Sequence, residues 1–242
     1  MTGDLPVPTR AMAIGAHPDD VEFGAGATLS KWAARGCHLF HVICTDGAKG
    51  SWDPAQDLAA LVVTRQAEQR AASVALGGTG EVEFLGWPDG ELDSGIRQRY
   101  QIAAAIRRFR PDVVLGHDPW KRYRLHPDHR HAGFLTVDGI VAARDPHFFP
   151  DLALAHHRPS ALLLFEADEP NHVETAGTDA IEAKIAALLA HRSQLRSTMD
   201  IEDPAATDDV TAFRRRVIER ASMHGALAGL DAGEAFHAIT EL

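Results

Sequence analysis

Five short apolar runs punctuate this chain: AMAIGA (11–16), CHLFHVICT (37–45), EVEFLG (81–86), DVVLGH (112–117) and ALLLFEA (161–167). Helix-patterned segments separate them, and that alternation restricts the fold more than any other feature. AMAIGA reads as a buried strand, and the other four runs as further strands. Between the first two, GAGATLSKWAARG reads as a helix closed by Gly36. A longer stretch from about Asp57 to Leu76 spaces Ala and Leu at helical intervals and stops at Gly77-Gly78. IRQRYQIAAAIRRFR is amphipathic and ends at Pro111, and DHRHAGFLTVDGIVAA follows His126. Two more helical stretches cover about 177–193 and 207–224. Strands joined through helices pair in parallel, with right-handed crossovers.

The expected fold is therefore α/β and Rossmann-like, a mainly parallel sheet with helices on both faces. At 242 residues one hydrophobic core suffices, so residues 1–242 are expected to form a single domain. The formal net charge of -10 argues against nucleic acid or an anionic membrane as the main partner, because phosphate binding needs a basic surface. MTGDLPVPTR lacks the apolar core of a signal peptide, and no apolar run is long enough to span a bilayer. A cytoplasmic location is the resulting expectation. Cys37 and Cys44 lie along one extended run, too far apart for a disulfide, and read as buried reduced thiols. The histidine count of 14 is high, which directs attention to metal ligands.

In open α/β sheets ligands bind at the carboxyl ends of the strands. AHPDD follows the first run, TDG the second, WPDGEL the third and HDPWKRYRLHPDH the fourth, so four polar loops should share one rim. His17, Asp19 and Asp20 offer imidazole and carboxylates, the usual donors to zinc. Taken alone, adjacent carboxylates at a helix start can simply complement the helix dipole. His126 and His129 stand three apart at another helix start, roughly on one face, so that one can bind metal while the other points at a substrate. Together the two clusters suit a His-Asp-His site. Three protein ligands with an open position form the pattern of catalytic rather than structural zinc.

The stretches AHPDDVEFGAGATL and HPDH, in this order and separation, closely resemble the LmbE/PIG-L family of zinc-dependent N-acetylglucosaminyl deacetylases. TRQAEQRAASVALG, LGWPDGEL, RPDVVLGHDPW, KIAALLAHRSQ and GEAFH resemble further family segments, so the likeness spans nearly the whole chain. The resemblance implies that His17, Asp20 and His129 are metal ligands and that Asp19 is the general base. It implies that His126 stabilises the oxyanion or protonates the leaving amine, that Asp128 orients a histidine, and that Arg65 steadies Asp19 or the intermediate. The implied cofactor is zinc (Zn2+), although an N/O donor set also accepts another divalent ion such as Fe2+. The implied partner is a small amino-sugar substrate, with homo-oligomerisation left open. A carboxylate beside His126, such as Asp128, would raise its pKa and favour the charged form.

Other residues read less sharply. Family members often carry Glu after the Gly of TDG, where this chain has Ala48; Asp46 reads equally as a turn residue. Asp89 and Glu91 either touch sugar hydroxyls or make a turn. Trp120, Lys121, Arg122, Tyr123 and Arg124 read as a solvated lid, with stacking on a sugar as the alternative. His172 reads as a surface residue rather than a rim residue, and His131 should face away from His129. No Gly-x-Ser-x-Gly elbow is present, and the glycines of GAGA fall inside a helix, where they suit close helix–sheet packing rather than a dinucleotide turn. The expected activity is removal of an N-acetyl group from an N-acetylglucosamine-type sugar or glycoconjugate. Amidase action on a thiol-sugar conjugate and a non-catalytic sugar-binding role are the alternatives.

Overall fold

The computed structural model describes residues 1–203 and 205–242. Strands β1 (Arg10–Gly15), β2 (His38–Thr45), β3 (Val82–Trp87), β4 (Val113–His117) and β5 (Ala161–Phe165) form where the apolar runs lie. Two further strands, β6 (His172–Thr175) and β7 (Gly233–Ile239), were not expected. The first is only four residues long and polar at both ends, and the second carries no uniform apolar pattern, so neither stands out locally. The sheet order is β3-β2-β1-β4-β5-β7-β6. Strands β1 to β5 pair in parallel, while β7 runs antiparallel to both β5 and β6. The fold is thus α/β and Rossmann-like, with a sheet that is mixed at one edge.

Helices α1 (Asp20–Ala33), α2 (Leu58–Ala75), α3 (Ile96–Phe109), α4 (Pro127–Arg144) and α5 (Thr178–Ala190) lie at or near their expected positions. A short α6 (Leu195–Met199) and the long α7 (Thr207–Ala226) follow. The first helix begins at Asp20, a full turn before the glycine-rich stretch that suggested it. Strand alternation sorts the core. Met12 and Ile14 of β1 pack with Ile102 and Ile106 of α3 and Leu135 of α4. Ala11 and Ala13, on the opposite face, pack with Val21 and Trp32 of α1, Ala72 of α2 and Ala187 of α5. An outer cluster joins α5 to α7 through Ile185, Leu188, Phe213 and Val217. Among the described residues no helix is long and apolar enough to cross a membrane.

Two glycines set close approaches that place the site. A Cβ on Gly24 would lie 2.5 Å from the Phe165 ring, so α1 can rest against β5 only without one. A Cβ on Gly133 would lie 2.7 Å from the carbonyl oxygen of His117, so α4 packs directly on the end of β4. The chain order reverses between β1 and β4, where a crevice opens at the strands' carboxyl ends.

Candidate functional site

A cleft of about 600 Å³ opens at that reversal. Its lining comes from the loops after all of the first five strands: His17, Asp19 and Asp20 after β1, Lys49 and Trp52 after β2, Asp89 after β3, His126 and His129 after β4, and Glu166 after β5. The four expected loops converge, and the loop after β5 joins them.

His17 sits just past β1 and uses both ring nitrogens. Its Nδ1 lies 3.2 Å from His129 Nε2 and 3.4 Å from Asp20 Oδ2. Asp20 Oδ1 lies 3.2 Å from His129 Nε2. Ligand bonds of about 2.05 Å in a tetrahedron give donor–donor edges of about 3.3 Å. The Asp20 carboxylate thus spans the two imidazoles, one oxygen toward each, and each of these contacts is close to such an edge. On its far side His17 Nε2 lies 3.1 Å from Asp128 Oδ2 and 3.2 Å from Asp89 Oδ1. Asp128 is fully buried and also accepts the N–H groups of Gly90 and Leu92, at 2.6 and 3.2 Å. This carboxylate–histidine pairing fixes which His17 nitrogen faces the cluster.

His117, the last residue of β4, is a site residue that the sequence reading missed. Its Nε2 lies 3.2 Å from Asp20 Oδ2, so Asp20, His117 and His129 form a second donor group overlapping the first. Behind it, Arg124 Nη1 donates to Glu166 Oε2 at 2.7 Å and lies 3.3 Å from both His117 Nδ1 and His129 Nδ1. Arg124 is buried, which corrects the reading of its loop as wholly solvated; Trp120 and Tyr123 are exposed as that reading expected. The available signal for His117 was its place at a strand's carboxyl end.

Asp19 caps α1 with φ 95°, a left-handed conformation uncommon outside glycine. Arg65 reaches it from α2, with Nη2 3.6 Å from Asp19 Oδ2 and the guanidinium donating to the carbonyls of Pro18 and Gly47, each at 2.7 Å. Burial pushes the Asp19 carboxyl up to about 7; the Arg65 charge pulls down and the Asp20 charge pushes up. Burial likewise opposes ionisation of Asp20, but His129 and His117 hold it well below the carboxylate range. Burial would lower His17, yet Asp128, Asp20 and Asp89 keep it well above the usual histidine value. Imidazoles facing several carboxylates form a donor set of net negative charge, which suits a dication.

His126 stacks on His129 with ring centroids 4.7 Å apart and meets His17 edge-on at 4.6 Å. Its pKa is lowered, by burial and then by the charges of His17 and His129. This corrects the expectation that Asp128 keeps His126 charged: Asp128 is turned away, toward His17 and two backbone amides. Asp46 accepts the N–H groups of Ala48 and Asp89, a turn role. Asp89 contacts His17 and accepts the Lys49 N–H at 2.9 Å, while Glu91 is exposed beside Lys49. His131 faces Ser94, away from the cleft. His172 is fully buried between Thr2 and Glu174, 2.8 Å from each, which corrects its reading as a surface residue. Cys37 and Cys44 are free and buried.

Fold and site together define the class: an open, mainly parallel α/β sheet whose carboxyl edge gathers histidine and carboxylate donors in an accessible cleft. Within that class the chain belongs to the PIG-L family, whose model, described as GlcNAc-PI de-N-acetylase, matches residues 12–140. A diacetylchitobiose deacetylase of Thermococcus kodakarensis is 34% identical over 188 residues, covering 76% of this chain and 70% of that protein. A 1D-myo-inositol 2-acetamido-2-deoxy-alpha-D-glucopyranoside deacetylase of Streptomyces avermitilis is 34% identical over 175 residues, covering 62% of this chain and 58% of that protein. Among solved structures, N,N'-diacetylchitobiose deacetylase from Pyrococcus horikoshii superposes with a TM-score of 0.84 at 28% identity, covering 96% of this chain and 84% of that one.

Proposed function

We propose that this chain is a metal-dependent hydrolase that removes the N-acetyl group from an N-acetylglucosamine-type sugar or glycoconjugate, releasing acetate and the free amine. The observation that carries this reading is the donor spacing of His17, Asp20 and His129, at 3.2 to 3.4 Å, beside a buried carboxylate at Asp19 that is not one of the three. Family membership supports the reaction, and the names of the relatives support the substrate class.

His17, Asp20 and His129 would hold the ion, with zinc the choice that the N/O donors suit. When bound, such an ion supplies a water of pKa near 7 instead of about 16 and polarises a carbonyl. Asp19 receives the proton as water attacks the acetamide carbonyl. Arg65 holds Asp19 in place and offsets its charge. His126, at the mouth of the cleft, offers an N–H to the developing oxyanion. The carboxylic acid so formed at Asp19 is positioned to return that proton to the leaving amine.

Metal analysis combined with amine release from a panel of N-acetylglucosaminyl compounds, with and without chelator, tests this reading. The expected result is one divalent ion per chain and chelator-sensitive release. Asp19→Asn should lower kcat roughly 10²- to 10⁴-fold at full metal content. Metal without hydrolysis of any compound would favour a binding role, and no metal after reconstitution would remove the ligand assignment.

A further inference from the structure

Asp19 stands at φ 95°, and a non-glycine residue keeps such a conformation only where its surroundings impose it. Two side chains of α2 hold the Pro18–Asp19 peptide, Arg65 at its carbonyl and Gln69 at its N–H. The Asp19 N–H donates to Gln69 Oε1 of α2 at 3.0 Å, and Gln69 Nε2 donates to Glu22 Oε1 of α1 at 2.7 Å. Glu22 Oε2 in turn faces His191 Nε2 at 3.4 Å. Gln69, Glu22 and His191 are all fully buried. None of them supplies a donor to the cluster around His17.

The order of these groups has a consequence. A carboxylate only accepts hydrogen bonds, so Glu22 forces Gln69 to present its amide nitrogen, and the Gln69 oxygen is left for Asp19. Without that charge the Gln69 amide is free to turn, and a nitrogen facing the Asp19 N–H would leave two donors opposed. His191 faces the second oxygen of Glu22 at 3.4 Å, a charge contact rather than a hydrogen bond, and its positive form favours the carboxylate on that side. The segment that carries His191 is itself tied to α2, because Ser193 donates its N–H and its hydroxyl to the two oxygens of Glu68, at 2.8 and 2.6 Å. Arg65, Glu68 and Gln69 share α2, so one helix grips Asp19 twice, by its carboxylate and by its amide.

We propose that Gln69, Glu22 and His191 form a positioning chain that holds Asp19 in its left-handed conformation and aims its carboxylate into the cleft. This assigns a role to the HRSQ segment, which the mechanism leaves unused. The inference rests on the reading of Asp19 as the base.

The test exploits the polarity of the chain. Gln69→Leu, Gln69→Glu and Glu22→Gln are made singly, and Gln69→Glu is combined with Glu22→Gln. The combined exchange swaps acceptor and donor, so the new carboxylate accepts from both the Asp19 N–H and the amide introduced at position 22. Each single variant should lower kcat by roughly 10- to 100-fold, the scale of a small misplacement of a reacting group. KM should stay within about twofold, with metal content unchanged. The combined variant should recover most of kcat and restore protection of the Asp19 amide against hydrogen exchange. In an Asp19→Asn background, Gln69→Leu should lower kcat no further.

An additive loss in that background, a change confined to KM, or no recovery in the combined variant would overturn the chain. If a single variant does not fold, the combined variant decides: folded and active supports the proposal, while folded and inactive, or unfolded, overturns it. A wild-type kcat in Asp19→Asn itself would instead overturn the assignment of the base, and the positioning role with it.

Discussion

At the scale of single residues, adjacent groups of the same chemistry receive different work from their surroundings. Asp19 and Asp20 are neighbours in sequence, yet burial lifts one carboxyl to about 7 while His129 and His117 hold the other well below its usual range. Asp128 and His126 are two residues apart, yet Asp128 serves His17, which is 111 positions away. The pairing of Asp128 with His17 makes a prediction. Asp128→Ala should weaken metal binding about 10- to 100-fold, as measured by competition with a chromophoric chelator. Asp128→Asn keeps an acceptor oxygen and should lose less. The residues of HPDD and HPDH were legible because each cluster is local. The partner of Asp128, and the part taken by His117, were not, because both depend on where β1 and β4 meet.

At the scale of elements, the site is a consequence of how α1, α2, α4 and α5 dock on the sheet. The helix α4 carries His126, Asp128 and His129 and lies against the end of β4 because Gly133 has no side chain. Gly133→Ala should push it away, destabilising the protein by about 1–3 kcal/mol in denaturant unfolding and weakening metal binding in parallel. The end of α5 is fastened to α1 by His191 against Glu22. Burial lowers the His191 pKa, but Glu22, with Asp19 and Glu68, raises it above 6.5 overall. A group whose folded pKa is raised contributes stability that is fully present below its unfolded value and fades as pH climbs through the folded one. The stability advantage of the parent over His191→Phe should therefore be larger at pH 6 than at pH 9 in urea titrations of the metal-free protein. The strands β1, β2, β4 and β5 were legible because burial writes a mostly apolar run, and β3, a partly buried edge strand, because Val82, Phe84 and Leu85 stand between turn signals. The strands β6 and β7 were not, because an antiparallel edge pair of mixed polarity, drawn from distant parts of the chain, takes its strand character from its partners.

At the scale of the whole molecule, the sheet order β3-β2-β1-β4-β5-β7-β6 opens its crevice between β1 and β4, and five loops meet there. A ligand that binds only where those loops converge stabilises the fold by mass action. Adding a divalent ion to 100 times its dissociation constant should raise Tm by roughly 5–10 °C for a chain of this size, and a chelator should reverse the rise. Differential scanning fluorimetry reads both. The sequence by itself determined the parallel α/β architecture, because periodicity and burial are local properties of a chain. It also determined the chemical types at the rim, because strand ends and helix starts can be found by inspection. Only the tertiary structure decided that Asp128 faces His17, that His117 and Arg124 enter the site, and that Gln69 holds the Asp19 amide. Those contacts join residues far apart in the chain, and their geometry exists only once the helices have packed on the sheet.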